Sequence, residues 1–318
     1  MSLEYRYLGQ TGLLVSRLCF GSLTVAPMQA NLSVQDGGQL IEAAFALGVN
    51  FLDTAESYDN YGHIRWALER GWSKRVHIAT KSYAVTAEQM QRSLERALRE
   101  LGRDYIDIFL LHEQESSLTL RGHAAALEYL ARAKERGLVR AVGISTHHVA
   151  AVRAGALHPL VDVIHPLINR EGWGIVDGTA ADMYEAIKFA ASLGKGLYGM
   201  KALAGGHLYR DPHAAFQYVL AMPELTAVAV GMQNEAELTA NLLHFTNQPV
   251  PPQLAAKLAR QERRLSIADW CEGCGSCVSA CPSNALRIEN ERAVVDVSRC
   301  VFCGYCSRAC PNFCLKVV

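Results

Sequence analysis

The chain has no surplus of charge: its 31 Lys and Arg residues cancel its 31 Asp and Glu residues. No global field therefore draws it toward nucleic acid or an anionic membrane. It also lacks any stretch approaching the roughly 18 apolar residues a membrane span needs. Glu4, Arg6 and Arg17 stand where a secretory peptide would have its apolar core. The expectation is a soluble, cytoplasmic chain with no nucleic-acid or membrane partner. Missing, too, is a G-x-G-x-x-G turn after the first strand-like segment, which weakens the case for a doubly wound dinucleotide fold. Cysteine is plentiful but confined: of ten, eight fall between Cys271 and Cys310 at regular spacing. In a reducing compartment such a cluster reads as metal ligation rather than disulfides.

What is present is an alternation. Strand-like segments near 18–20, 50–53, 76–80, 105–111, 139–144, 161–164, 196–200 and 226–230 alternate with helix-patterned ones. The helical stretches lie near 36–47, 62–70, 86–100, 122–135, 147–154, 179–191, 212–220 and 234–244. Every strand is followed by a helix and no unit is left over, which suits an α/β fold of the (β/α)8 TIM-barrel type. Residues Tyr5–Leu8 and Leu13–Val15 read as a hairpin plugging the barrel's base. Gly48, Gly102, Gly137 and Gly194 sit between helix and strand, as left-handed C-caps would, and mark the floor. Pro249, Pro251 and Pro252 then punctuate the chain. The expected division is a barrel over 1–250, a helical linker over 251–267 and a small α+β domain over 268–318.

If the caps mark the floor, the opposite rim carries the strand ends, where barrel active sites lie. The segment V-N-F-L-D-T-A-E-S-Y delivers Asp53 and Tyr58 there, V-H-I-A-T delivers Lys81, and Y-I-D-I-F-L-L delivers His112. Each alone reads as a salt bridge, turn or cap. Four at successive strand ends point to an active site.

With those groups in hand, residues 1 to about 245 resemble the aldo-keto reductases. The matching pieces are D-T-A-E-S-Y (53–58), T-K (80–81), L-L-H (110–112), G-I-S-T (143–146), Asn169, and G-M-Q-N-E-A-E-L-T-A-N-L (231–242). The resemblance implies a nicotinamide-dependent reduction of a small carbonyl, or oxidation of the alcohol, by a tetrad of Asp53, Tyr58, Lys81 and His112. It further implies dinucleotide contacts at Gly21, Ser22, Asp53, Ser145, Thr146, His165, Met200, Lys201, Leu203, Gly231, Met232, Gln233, Glu237 and Asn241. The chemistry needs these types. A nascent alkoxide requires a proton, and a phenol of pKa about 10 supplies it when that value is lowered. An ammonium about 4 Å away at an effective dielectric near 20 contributes roughly 4 kcal/mol, up to about three pKa units. Asp53 would keep Lys81 charged, and His112 would orient the carbonyl.

Departures from the family pattern are several. Asp59 replaces the usual Gly after Tyr58, and Tyr61-Gly62 makes Tyr61 a rival acid. Thr146 stands for the usual Asn, His165 for the usual Gln, and Met200 for the aromatic that stacks on nicotinamide. With Glu237 in a segment free of Lys and Arg, a 2′-phosphate would be repelled, which tilts the expectation toward NAD over NADP. Lys201 or Arg210 could still reach a phosphate.

From Cys271 the pattern is C-x2-C-x2-C-x3-C-P, and it recurs from Cys300 at an offset of 29 residues. This resembles bacterial-type two-cluster ferredoxins, in which the fourth cysteine of each run ligates the other cluster. Two [4Fe-4S] clusters are implied, one on Cys271, Cys274, Cys277 and Cys310, the other on Cys300, Cys303, Cys306 and Cys281. Paired zinc is the rival, disfavoured by the C-P endings and the close spacing. Cys314 and Cys19 read as core residues. A nicotinamide gives up two electrons at once, whereas such a cluster moves one, so direct exchange without a flavin is not expected. The clusters would then connect the enzyme to an external redox protein, sense redox state, or fold the tail. A non-catalytic redox sensor or electron-transfer protein that binds NAD(P)H is the alternative. The tail is also expected to wall one side of the active-site mouth.

Overall fold

The computed structural model describes residues 3–318. A two-stranded hairpin, β1 (Tyr5–Tyr7) and β2 (Leu14–Ser16), precedes eight parallel strands: β3 (Leu18–Gly21), β4 (Phe51–Asp53), β5 (His77–Ser82), β6 (Ile106–Leu111), β7 (Val139–Thr146), β8 (Val163–Pro166), β9 (Gly196–Met200) and β10 (Ala227–Gly231). The sheet closes where β10 pairs with β3, Gly231 opposite Gly21. Closure leaves no edge strand, the outer helices bury the outer face and the side chains inside the barrel bury the inner one, which is why a run such as I-D-I-F-L-L is buried throughout.

Two cores result. Inside the barrel, Leu8, Leu13 and Val15 of the hairpin pack against Cys19, Phe51, Ile108, Leu110 and Tyr198, so the plug closes the base. Between strands and helices lies the larger core. The helix Ala87–Leu101 shows how sequence builds it: Thr86 and Gln89 form a reciprocal cap, Gly102 closes the far end, and Met90, Leu94, Ala97 and Leu101 bury one stripe. Gly48, Gly102, Gly137 and Gly194 all have positive φ.

Three boundaries differ from the sequence expectation. The helix expected near 122–135 is two, Ser117–Gly122 and Ala124–Glu135, because Ser116 and Thr119 build a separate cap. The helix expected near 62–70 is regular only over Tyr61–Ala67, then widens into a looser turn, with Gly71 at φ 92°. Of the segment expected as linker, only Pro252–Ala259 is helical. Leu265–Ile267 forms β11, which pairs antiparallel with β14 (Leu315–Val317) and so belongs to the tail. A ladder between a segment and the last residues of the chain leaves no local signal.

The tail adds a second ribbon, β12 (Leu286–Glu289) with β13 (Arg292–Val295). Its core is small: Leu265, Leu286, Ala293, Leu315, Val317 and three buried cysteines, Cys277, Cys306 and Cys314. It docks on the loop after β9. Val317 N donates to Gly205 O at 2.9 Å, and His207 Nε2 donates to Leu315 O at 3.1 Å. Gly206 has φ 88°, and a Cβ there would meet Val317 O at 2.0 Å. Gly206→Ala is therefore expected to cost more than about 1 kcal/mol, through both backbone strain and lost docking. Limited proteolysis should show cleavage near residues 250–264 rising well above wild type.

Candidate active site

The rim brings the four strand-end groups together. Lys81, next to last in β5, donates from Nζ to Asp53 Oδ2 at 2.7 Å and to Thr54 O at 2.6 Å. Both partners are buried, the Lys81 side chain 1% and the Asp53 side chain 7% exposed. Asp53 Oδ1 accepts from the Tyr198 hydroxyl at 2.9 Å. Tyr58 ends a short 3-10 turn over Glu56–Tyr58. Its ring centroid is 5.2 Å from Lys81 Nζ and 6.0 Å from the His112 ring. Removing Lys81 would strand a buried carboxylate, so Lys81→Met is expected to lower stability by about 3–5 kcal/mol. Urea unfolding checks this, through a midpoint shift without a change in slope.

The Tyr58 hydroxyl does not match the acidified phenol expected from sequence. Although part of its ring reaches the cavity, burial pushes its pKa well above the ordinary value, and the charges of Asp53 and Glu113 push the same way. The physical reason is burial first, and then the Asp53 carboxylate, which opposes Lys81 at the phenol and, with Thr54 O, takes two of the three Lys81 N–H groups. Among the described residues, no hydrogen bond joins Lys81 to the Tyr58 hydroxyl. Tyr61 is out of position to act as the acid: its hydroxyl is buried against Thr80 Oγ1 at 2.7 Å, and it does not line the cavity.

His112 is neutral. Burial, then the charge of Lys81, holds its pKa well below the usual range. Its Nδ1 has no protein partner, and its ring stacks on Tyr83 at 4.3 Å. His165 is likewise neutral, lowered to about 4 by burial against the opposing pull of Asp53. Its Nδ1 donates to Tyr198 O at 2.6 Å, which leaves Nε2 as an acceptor suited to a carboxamide N–H.

Beside these groups opens a cavity of about 870 Å³. Of the sequence-predicted site residues, Gly21, Asp53, Tyr58, His165, Met200, Lys201, Leu203, Gly231, Gln233, Glu237 and Asn241 line it, whereas Lys81 and His112 do not. Nor do Ser22, Ser145, Thr146 and Met232. Ser22 Oγ accepts from Asn60, Ser145 Oγ from Glu113 N, and Thr146 Oγ1 from His148 N, while Met232 is fully buried. These side chains hold loops rather than face the cavity. Its size and its shape, reaching from Asp53 to the N-terminal turn of the helix Glu235–Phe245, fit a dinucleotide with its phosphates at the positive helix end.

The argument for NAD from Glu237 weakens. Its Oε2 accepts from Gln233 N at 2.8 Å, capping its own helix. Arg210 and Arg263 line the same cavity from the loop after β9 and from the chain beyond the Pro252–Ala259 helix. No local scan of residues 231–241 could have found them. Arg210 had been named from sequence; Arg263, Tyr198 and Lys316 had not.

In the tail, a small second cavity is lined by Cys281, Cys300, Cys303 and Cys306, with His207 of the barrel at its edge. Cys277 lies within the field of Cys310, Cys271 and Cys274, which together with burial raises its pKa. None of these thiols is in a disulfide. Among the described residues, no three His, Cys, Asp or Glu side chains converge on one single-ion point. A zinc centre needs four ligands within about 2.3 Å of one atom, whereas a cubane cluster is held by thiols set wider apart.

Comparisons with known proteins agree with this geometry. The pattern of the aldo/keto reductase family matches residues 17–213, and that of a 4Fe-4S dicluster domain matches residues 265–311. The chain is similar to L-galactose dehydrogenase of Arabidopsis thaliana, 25% identical over 293 residues, covering 77% of this chain and 88% of that one. It is also 25% identical over 182 residues to methylglyoxal reductase DkgA of Yersinia pestis, covering 54% and 64%. A solved Pseudomonas aeruginosa structure superposes with TM-score 0.66 at 27% identity, over 76% of this chain and 95% of that one. The holo form of a Bacillus halodurans aldo-keto reductase shares the fold, with TM-score 0.66 at 20% identity over 81% and 96%. Among the described residues no helix is long and apolar enough to cross a membrane.

Proposed function

The chain belongs to the aldo/keto reductase family of NAD(P)H-dependent oxidoreductases and carries a 4Fe-4S dicluster domain, and from that premise we propose that it interconverts a small carbonyl compound and its alcohol, with Tyr58 as the proton donor. The observation that carries the reading is that Asp53 and Tyr58 line one end of a dinucleotide-sized cavity, with Lys81 bonded to Asp53 and the His112 ring 6.0 Å from that of Tyr58. A bound nicotinamide supplies the hydride. Tyr58 holds its proton firmly at rest, as an acid must, and releases it to the carbonyl oxygen as negative charge develops there. Lys81 lies close enough to the ring to stabilise that loss of a proton, and Asp53 holds it in place. His112, neutral, donates a hydrogen bond from a ring N–H and orients the carbonyl. Similar proteins bear the names of a dehydrogenase and a reductase, so both directions are open to this site.

Residues Gly231–Asn241, with Met200 and Leu203, would hold the dinucleotide. Discrimination between NAD and NADP then rests on Glu237 against Arg210 and Arg263. Cys271, Cys274, Cys277 and Cys310 would hold one [4Fe-4S] cluster, and Cys281, Cys300, Cys303 and Cys306 the other. Such clusters would pass single electrons to an external redox protein. A second reading, an NAD(P)H-binding redox sensor without turnover, draws on the commitment of Ser145 and Thr146 to backbone partners. An aldehyde panel with NADH and NADPH separates the two. Oxidation of cofactor with any aldehyde supports the reductase; binding without oxidation supports the sensor. Anaerobic mixing with NADH alone should leave the clusters oxidised, because the electron counts do not match.

A further inference from the structure

Two lysines stand at the seam between barrel and tail without an ion-pair partner among the described residues. Lys201 follows β9 with φ 59°, a left-handed backbone that a side-chain-bearing residue adopts only where its surroundings hold it. Its Nζ is hydrogen-bonded to His147 Nε2 at 2.8 Å and lies 5.0 Å from the ring of Phe313, a tail residue. Lys316 enters from β14 in the tail, its Nζ 4.8 Å from the Trp270 ring, and both residues line the large cavity. Glu113 is the carboxylate whose field reaches both, but it is engaged by the Tyr83 hydroxyl at 2.6 Å.

We propose that Lys201 and Lys316 form an anion-recognising subsite for a carboxylate on the substrate, so that the compound reduced is an oxo acid rather than a neutral aldehyde. The inference rests on the reductase reading and names its substrate class. Several observations carry it beyond two exposed cations. The pair comes from two separate parts of the chain and meets on one cavity wall. Burial, then the charge of Lys316, brings Lys201 down to about 7, and burial also lowers Lys316. Two cations held together against that penalty are what an arriving anion would relieve. Their fields, with that of Lys81, converge on His112, the group at the reacting end. A dinucleotide's phosphates would find other partners, the first turn of the helix Glu235–Phe245 with Arg210 and Arg263. Because Lys316 lies in the tail, the iron-sulfur domain would take part in substrate choice.

The test uses full-length, cluster-loaded protein. Turnover of succinic semialdehyde is compared with that of butanal, and calorimetric binding of 4-hydroxybutanoate to the NAD(P)-saturated protein with that of butan-1-ol. Wild type is expected to prefer the carboxylate member of each pair by about tenfold or more, and Lys316→Met to abolish most of that preference. Lys316→Arg should restore it. Equal treatment of both members by wild type overturns the proposal without any variant, as does a rise in cofactor KM alone in Lys316→Met. Selective binding of the carboxylate with no turnover of either aldehyde would sustain the subsite and defeat the reductase reading instead.

Discussion

Tyr58→Phe is expected to lower kcat for carbonyl reduction by about three orders of magnitude, within the range general acids contribute. Cofactor affinity should stay near wild type. The substitution removes one hydroxyl and keeps the ring that packs beside His112 and Lys81, so the cavity keeps its shape. What is lost is the only phenol both lining the cavity and adjacent to the buried Lys81–Asp53 pair. Tyr61→Phe is the matched control. It removes a hydroxyl committed to Thr80, so it should cost stability on the scale of one hydrogen bond, about 1 kcal/mol, and little activity. Steady-state kinetics on both variants decides. Comparable losses from each, or a Tyr58→Phe enzyme of near-normal kcat, would remove Tyr58 from the mechanism.

Loss of iron is expected to unfold the tail and leave the barrel standing. The tail's apolar core consists of a handful of side chains, several of them cysteines, too few to offset the entropy of ordering about fifty residues. For small metal-dependent domains the binding free energy is itself the folding free energy, on the order of 10 kcal/mol or more. Cys306→Ser and Cys277→Ser, one in each set, should each cost about half the iron and make residues 265–318 protease-sensitive. The barrel has its own two cores, so its thermal transition should persist. Activity should nevertheless fall, because Lys316, Val317 and Val318 wall the large cavity and Val317 pins the loop at Gly205. Iron analysis, proteolysis and kcat/KM together separate this from a purely electron-carrying role, which would leave kcat/KM unchanged in the iron-poor protein.

Much was legible in the sequence because the relevant signals are local. Eight strand and helix patterns, the cap glycines and the cysteine repeat each depend on residues a few positions apart, and the spacing of C-x2-C-x2-C-x3-C-P is set by the cluster it would serve. The strand-end positions of Asp53, Lys81 and His112 follow once the barrel is inferred, since parallel strands all point their ends at one rim.

What only the tertiary structure decided are quantities that depend on neighbours distant along the chain. Whether Lys81 would acidify Tyr58 turned on how Lys81 divides its donors between Asp53 and Thr54. The cofactor phosphate question turned on Arg263, which joins the Arg210 already named from sequence on the wall of the cavity. The pairing of β11 with β14, and the placing of Lys316 beside Lys201, join residues separated by dozens of positions. Propensity and periodicity are short-ranged, whereas burial and electric field sum over everything nearby in space. The residue pattern could therefore name the reacting groups, but only the folded arrangement could say which neighbours each of them meets.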